Sequence, residues 1–244
     1  MPERSRYFDI PRPDAPAARF LVRIKDAANS RSVKIRAVGA REALITKPRW
    51  VSVAEAVEFL KKNARWLLEA AEKIRPKKKL ADYLKDGGKI YADGGAYEVD
   101  FITSRTSPFY VDDAENAKLV IAAREENFGK DAAAQVLKFA AKKLEKLCRE
   151  ESRRTALEFS RISLRDQSGR WASRSTSGAL SLNWRLLLLE PELQKYVVCH
   201  ELAHTKFMDH SVSFWIFLNR ICPDAQKLDR RVSAKAAEIF AVEL

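Results

Sequence analysis

The sequence predicts an α+β protein in which a strand-rich N-terminal half with one helix precedes a helix-rich C-terminal half. Short segments that alternate in polarity or are rich in β-branched residues dominate the first half. Longer segments with apolar residues at helical spacing dominate the second half. At 244 residues, 46% of them hydrophobic, the chain can bury a core in one large domain or two small ones.

The first predicted region, residues 1–127, is β-rich and contains one helix over residues 52–75. Ser52 and Glu55 form an S-x-x-E capping box at the start of this helix, and Pro76 ends it. Turn residues separate the predicted strands, which lie at residues 19–24, 32–38, 42–46, 89–92, 96–102 and 118–122.

The second predicted region, residues 128–244, holds a backing helix, a small sheet, the helix that carries the histidines and further C-terminal helices. The backing helix is predicted over residues 131–159, and three strand candidates follow it at residues 161–165, 170–174 and 179–182. The histidine-bearing helix begins at Pro191, because proline and acidic residues favour the first turn of a helix. Two more helices are predicted, one after Ser211 and one after Asp224.

The net charge of +12 is spread evenly between the two halves, at +7 over residues 1–130 and +5 over residues 131–244. Such a surface attracts polyanions, including nucleic acid and nucleotides. The alternative is a basic protein with no polyanionic partner. The absence of a basic tail favours that alternative, and the charge alone leaves both open.

Cysteine usage and the first residues predict a cytoplasmic protein with no membrane partner. The three cysteines, Cys148, Cys199 and Cys222, form no C-x-x-C pair, which is typical of a reducing compartment. The charged, proline-rich N-terminus lacks the apolar run of a secretion signal. The longest aliphatic run, residues 186–189, is too short to span a membrane.

All three histidines of the chain lie within eleven positions. His200 and His204 are four residues apart on the predicted helix, so their neutral imidazoles can reach one zinc ion at roughly 2.0–2.1 Å. Glu201 is rotated about 60° from His204 on a helix of ~3.6 residues per turn. It therefore flanks the metal, where a general base for a metal-activated water belongs.

His210 completes a three-histidine set only if the chain turns back. On a continuous helix it would lie roughly 9 Å beyond His204 along the axis. The helix is therefore predicted to end between Thr205 and Asp209, with Met208 or Asp209 in a left-handed conformation because no glycine is available. Three histidines with an open position are typical of a catalytic zinc site, so one zinc ion per chain is predicted. A structural zinc is the alternative, although such sites usually have four protein ligands and are rich in cysteine.

Residues 170–215, RWASRSTSGALSLNWRLLLLEPELQKYVVCHELAHTKFMDHSVSFW, resemble the YgjP-like metallopeptidase-domain family of zincin-type metal-dependent hydrolases. The strand-rich start, VSVAEAVEFLKKNARWL and CPDAQKLDRR are similar to that family as well, so the resemblance covers nearly the whole chain. It implies a zincin-like core, zinc on His200, His204 and His210, and Glu201 as the catalytic acid and base. The chain departs from the family at Ala172 and Arg174, which replace its usual glycine and cysteine.

Hydrolysis also requires a group that stabilises the developing oxyanion. No histidine remains for this role, so the candidates are Arg170, Arg185 and Tyr196. Tyr196 lies four residues before His200 and shares its helix face, although an aromatic residue there also suits the core. The two arginines equally suit the surface or a sheet edge.

The residues indicate metal-assisted hydrolysis, and peptide hydrolysis by a zinc-activated water with Glu201 as the base is the leading hypothesis. A second hypothesis, also implied by the resemblance, is hydrolysis of a nucleoside triphosphate. The basic surface and Arg174 suit it, but a Gly-rich phosphate loop and an acidic metal cluster are missing from the sequence. A third hypothesis is a nucleic-acid-associated protease similar to SprT-like proteins. The expected partner is thus a peptide or small molecule, with nucleic acid or a nucleotide as the alternative.

Overall fold

A computed structural model describes residues 4–12 and 16–244, and it confirms the α+β class. The chain forms two compact units, Met1–Lys77 and Lys78–Leu244. The predicted boundary at 127/128 is therefore misplaced. Strand residues such as Leu119 and Ile121 share one core with the long helix that follows them, so they belong to the second unit.

The first unit contains a four-stranded sheet with order β1-β2-β4-β3. Strands β2 and β4 are parallel, and the other two pairs are antiparallel. The strands are β1 (Arg4–Ile10), β2 (Ala18–Asp26), β3 (Lys34–Gly39) and β4 (Glu42–Lys47), and the helices are α1 (Val53–Lys62) and α2 (Ala64–Glu72). Residues of the sheet, among them Phe20, and of both helices, among them Leu60 and Leu67, form a core separate from that of the second unit.

The helix predicted over residues 52–75 is two helices that meet at Asn63. The capping box at its start is present: Glu55 N donates to Ser52 Oγ at 3.2 Å, and Ser52 N donates to Glu55 Oε2 at 2.7 Å. Asn63 leaves the helical region (φ −106°, ψ 19°), and its side-chain amide donates to Phe59 O at 2.8 Å. An asparagine side chain that bonds to the backbone in this way competes with helical hydrogen bonds. The helix therefore breaks at Asn63, although the apolar pattern continues on both sides of the break.

The second unit begins with a four-stranded sheet packed on the backing helix. Its order is β6-β7-β9-β8. The elements are β5 (Lys78–Lys79), the short unpredicted helix α3 (Leu80–Lys85), β6 (Ile90–Ala92), β7 (Gly95–Thr103), β8 (Phe109–Asp113), β9 (Lys118–Ala123) and α4 (Phe128–Thr155), which is the predicted backing helix.

A second, three-stranded sheet and three helices surround the histidines. They are β10 (Arg161–Arg165), β11 (Ala172–Arg174), β12 (Ala179–Asn183), α5 (Pro191–Ala203), α6 (Val212–Ile221), α7 (Ala225–Ile239) and the final strand β13 (Val242–Glu243), which pairs with β5. Strand order is β10-β12-β11, so the antiparallel strand β11 lies at an edge.

Helix α5 occupies the centre of this unit. It contacts α4, α6, α7 and β11, and residues around its whole circumference are buried. A helix packed on every side holds its polar side chains in fixed positions. None of the helices in the described part of the chain could serve as a transmembrane span.

Candidate metal centre

The three histidines meet at the C-terminal end of α5. His200 lies in the last turn of the helix, His204 caps it, and His210 comes from the segment before α6. One ring nitrogen from each lies within 4.8 Å of the others. The Nε2 atoms of His200 and His210 are 3.0 Å apart.

The turn that delivers His210 differs in detail from the prediction. Helix α5 ends at Ala203, before the predicted window of 205–209, and the amides of Lys206 and Phe207 then bond to Ala203 O. Neither Met208 nor Asp209 is among the non-glycine residues with positive φ in the described chain. Because α5 ends early, the chain reverses direction over more residues before His210, and no residue in a left-handed conformation is needed.

Hydrogen bonds on the far side of two rings fix which nitrogen faces the centre. The Tyr196 hydroxyl donates to Asp229 Oδ1 at 2.7 Å, and its oxygen lies 3.3 Å from His200 Nδ1. His204 Nδ1 lies 2.8 Å from the carbonyl oxygen of Phe207, which can only accept. Both Nδ1 atoms therefore carry the proton, so the lone pair of each Nε2 points to the centre.

This donor set suits a zinc-type cation. Burial, followed by repulsion from His204 and His210, lowers the pKa of His200 to about 4, so the ring is neutral near pH 7. Lone pairs that face each other at 3.0 Å repel unless a proton or a cation lies between them. Neutral imidazoles are preferred ligands of zinc and of related transition metals.

Phe214 of α6 supports all three imidazoles. It is completely buried, and its ring centroid lies 5.0 Å from that of His200, 4.9 Å from that of His204 and 4.8 Å from that of His210. The His204 ring stacks on it, and the other two meet it edge to face. A buried ring in contact with all three restricts their rotation.

Glu201 flanks the histidines and faces the edge of the second sheet. Burial raises the pKa of its carboxyl to about 7, although Arg170 and the charge and backbone amide of Arg174 oppose the shift. The backbone N–H of Arg174 is close enough to this carboxyl to lower its pKa. Bonds between β11 and β12 involve the flanking residues Trp171 and Ser175, so the amide of Arg174 points away from β12.

The structure separates the three oxyanion candidates. Arg185 is buried, donates to Val242 O at 2.7 Å and pairs with Asp166, contacts that hold the C-terminal strand and make Arg185 structural. Tyr196 is buried below the histidines and orients His200. Arg170 is exposed and close enough to Glu201 to affect its pKa, so it remains a candidate.

Three residues have roles at the site that the sequence did not predict. Phe214 and Asp229 reach it from α6 and α7, and no local spacing relates them to the H-E-x-x-H pattern. Arg174, noted as a departure from the family, also affects the pKa of Glu201 and of His204. A histidine that binds a metal usually donates its other ring N–H to an acceptor such as a carboxylate. This rule was the one sequence-level reason to expect an acidic residue such as Asp229 near the histidines.

The chain is similar to one solved structure and to one protein family. The chain is similar to a solved structure, the metallopeptidase zymogen of Pyrococcus abyssi abylysin, at 26% sequence identity over 38% of this chain and 93% of that one, with a TM-score of 0.35. No curated protein matches it significantly. The family model for the YgjP-like metallopeptidase domain matches residues 31–235. The chain therefore belongs to the YgjP-like metallopeptidase-domain family, as the motif in residues 170–215 implied.

Proposed function

We propose that this chain is a zinc-dependent metallopeptidase in which His200, His204 and His210 hold one zinc ion and Glu201 is the general base. The main support for this proposal is that the three rings converge, while Nδ1 of His200 and Nδ1 of His204 form hydrogen bonds with other groups. Family membership supports a metal-dependent hydrolase independently of that geometry.

Zinc held by His200, His204 and His210 would supply Lewis acidity and lower the pKa of a water molecule from 15.7 towards ~7. Glu201 would accept a proton from the attacking water and donate it to the leaving amine. Its burial beside the Arg174 amide restricts the orientation of the carboxylate. The Asp229–Tyr196 pair holds the His200 ring through Nδ1.

The edge strand β11 favours a peptide substrate. Its outward-facing backbone groups belong to Ala172 and Arg174, beside the carboxylate of Glu201. An extended peptide can pair with such an edge as an added strand, which brings a backbone carbonyl close to the base. The exposed guanidinium of Arg170 is the candidate that stabilises the oxyanion.

Hydrolysis of a nucleoside triphosphate is the second candidate, and the observation that favours it is Arg174. Its charge lowers the pKa of both Glu201 and His204, so a positive group that could pair with a phosphate lies near the histidines. Against this candidate, the three histidines are the one cluster of possible metal ligands among the described residues, which hold no acidic cluster of the kind that binds magnesium.

Metal analysis and an activity screen of purified protein test the proposal. We expect about one zinc ion per chain, casein-type peptide hydrolysis by the wild type, and zinc retention with at least ~100-fold slower turnover in Glu201→Gln, as loss of a general base predicts. His210→Ala should lose the metal, which separates ligand from base. Activity that persists in Glu201→Gln would refute the assigned base, and cleavage of nucleoside triphosphates alone would favour the second candidate.

A further inference from the structure

The net charge is concentrated in the first structural unit. Residues 1–77 contain 18 Lys and Arg against nine Asp and Glu, a net charge of +9. Residues 78–244 contain 27 against 24, a net charge of +3. The even distribution found between sequence halves disappears when the chain is divided at the boundary of the two units, so the first unit carries most of the field that attracts polyanions.

One face of the first unit's sheet carries much of this charge. Alternate residues of β2, such as Phe20, Val22 and Ile24, are buried in the core of the unit, and those between them point outward. The outward-facing cations are Arg19, Arg23, Lys25, Lys34 and Arg36, and the acids on the same face are Asp9 and Glu42. We call this surface the basic sheet face.

Strand pairing arranges four of the cations in two rows across β4. Arg23 and Arg36 both pair with Leu44, whereas Lys25 and Lys34 both pair with Thr46. The two rows are two residues apart along the strand, or about 6.6 Å at ~3.3 Å per residue. Arg23 Nη2 lies 3.8 Å from Glu42 on the same face.

Exposed aromatic rings lie on one edge strand of the basic sheet face and beside the other, where they belong to the helices that pack on the opposite face of the sheet. On the edge strand β1, Tyr7 is 62% exposed, and the guanidinium carbon of Arg19 lies 4.7 Å from its ring centroid. Beside the other edge strand, β3, a groove of about 390 Å³ contains the exposed rings of Phe59 and Trp66. Lys34 belongs to both this groove and the basic sheet face.

We propose that the first unit binds single-stranded nucleic acid across the basic sheet face, a function separate from hydrolysis at the histidines. The cations suit the phosphates, and Tyr7, Phe59 and Trp66 offer rings on which bases can stack. A single strand fits better than a duplex, because exposed rings such as Tyr7 can stack on unpaired bases, whereas major-groove readout uses a protruding helix or β-ribbon.

The test measures binding of the full chain to a fluorescein-labelled oligothymidylate by anisotropy over a range of salt concentrations. We expect log affinity to fall linearly with log salt, and the Lys34→Gln/Arg36→Gln variant to reduce that slope by about 1.4, at ~0.7 per phosphate contact. Tyr7→Ala should weaken binding about tenfold through loss of stacking, whereas Tyr7→Phe should retain it.

The matched control, Lys85→Gln/Lys138→Gln, removes the same charge from exposed positions of the second unit and should leave the affinity unchanged. All these positions are exposed, so circular dichroism spectra should match that of the wild type. No binding at low salt, equal weakening by the control, tighter binding to duplex DNA that is insensitive to Tyr7→Ala, or binding only to phosphatidylserine vesicles would each overturn the proposal.

Discussion

Two polar clusters of the second unit differ in how their charges are balanced. In the first, Lys143 of α4 pairs with Asp93 and with Asp112, and its Nζ also lies 2.9 Å from the Tyr97 hydroxyl. Lys142 and Lys146 bring further positive charge to the two carboxylates. The histidine cluster instead brings three like groups together, with Glu201 at its side.

The pKa shifts of the two clusters run in opposite directions. Burial alone would raise the pKa of Asp93, but hydrogen bonds from Lys143 and Lys146 bring it well below its ordinary value, so the charged form is favoured. At the histidines burial dominates, and it favours neutral His200 and protonated Glu201. A polar cluster whose charges are paired stabilises the fold, whereas one that holds its groups away from their ordinary charge states is typical of a functional site.

Removal of Lys143 is expected to have the largest effect on stability. Lys143→Met leaves two mostly buried carboxylates without their shared partner, and should lower the free energy of unfolding by about 3 kcal/mol. Lys142→Met is the matched control, because the Lys142 side chain is 62% exposed and its ion pair with the same Asp112 should be worth less than about 1 kcal/mol. Urea unfolding followed by circular dichroism measures both.

If the Lys143→Met and Lys142→Met variants lose equal stability, the buried ion pairs of Lys143 are worth no more than an exposed ion pair. The proposed difference between this cluster and the histidine cluster would then be wrong. Retention of zinc by the folded fraction of Lys143→Met would show that the two clusters act independently. Metal analysis at a urea concentration below the transition makes that comparison.

Acid should remove the contribution of the same cluster. The folded-state pKa values of Asp93 and Asp112 are depressed below the ordinary carboxyl value of about 3.9. Their contribution is therefore fully present above that pH and is lost as the pH falls through the folded-state values. The pKa of Lys143 is raised, so its contribution is lost only at alkaline pH, above about 10.4.

Urea unfolding at a series of pH values from 7 to about 3 tests this sign. The difference in stability between the wild type and Asp93→Asn should shrink as the pH falls below about 4, because the Asp93 carboxyl of the unfolded wild type then takes up a proton while the folded state still keeps this carboxyl charged. A difference that stays constant down to the lowest pH at which both proteins fold would show that Asp93 contributes through packing and not through its charge.

The sequence predicted features governed by local spacing better than those governed by packing. The i, i+4 relation of His200 and His204 and the capping box at Ser52 need only helix geometry, and both appear as expected. The boundary at 127/128 was wrong because it depends on which core the 90–123 strands join. Asp229 reaches the site only through the packing of α7 on α5.

The Tyr196 hydroxyl gives the smallest expected effect and the sharpest test of how the histidine cluster is held. Tyr196→Phe keeps the buried ring but removes the hydroxyl that links His200 Nδ1 to Asp229. We expect zinc affinity, measured by competition with a chelator, to fall about tenfold, as for other groups that orient metal-bound histidines. The thermal stability of the metal-free protein should change little, because the packing is conserved. If Tyr196→Phe lost equal stability with and without zinc, the hydroxyl would stabilise the fold itself, as Lys143 does. The distinction between the two clusters would then not hold at Tyr196.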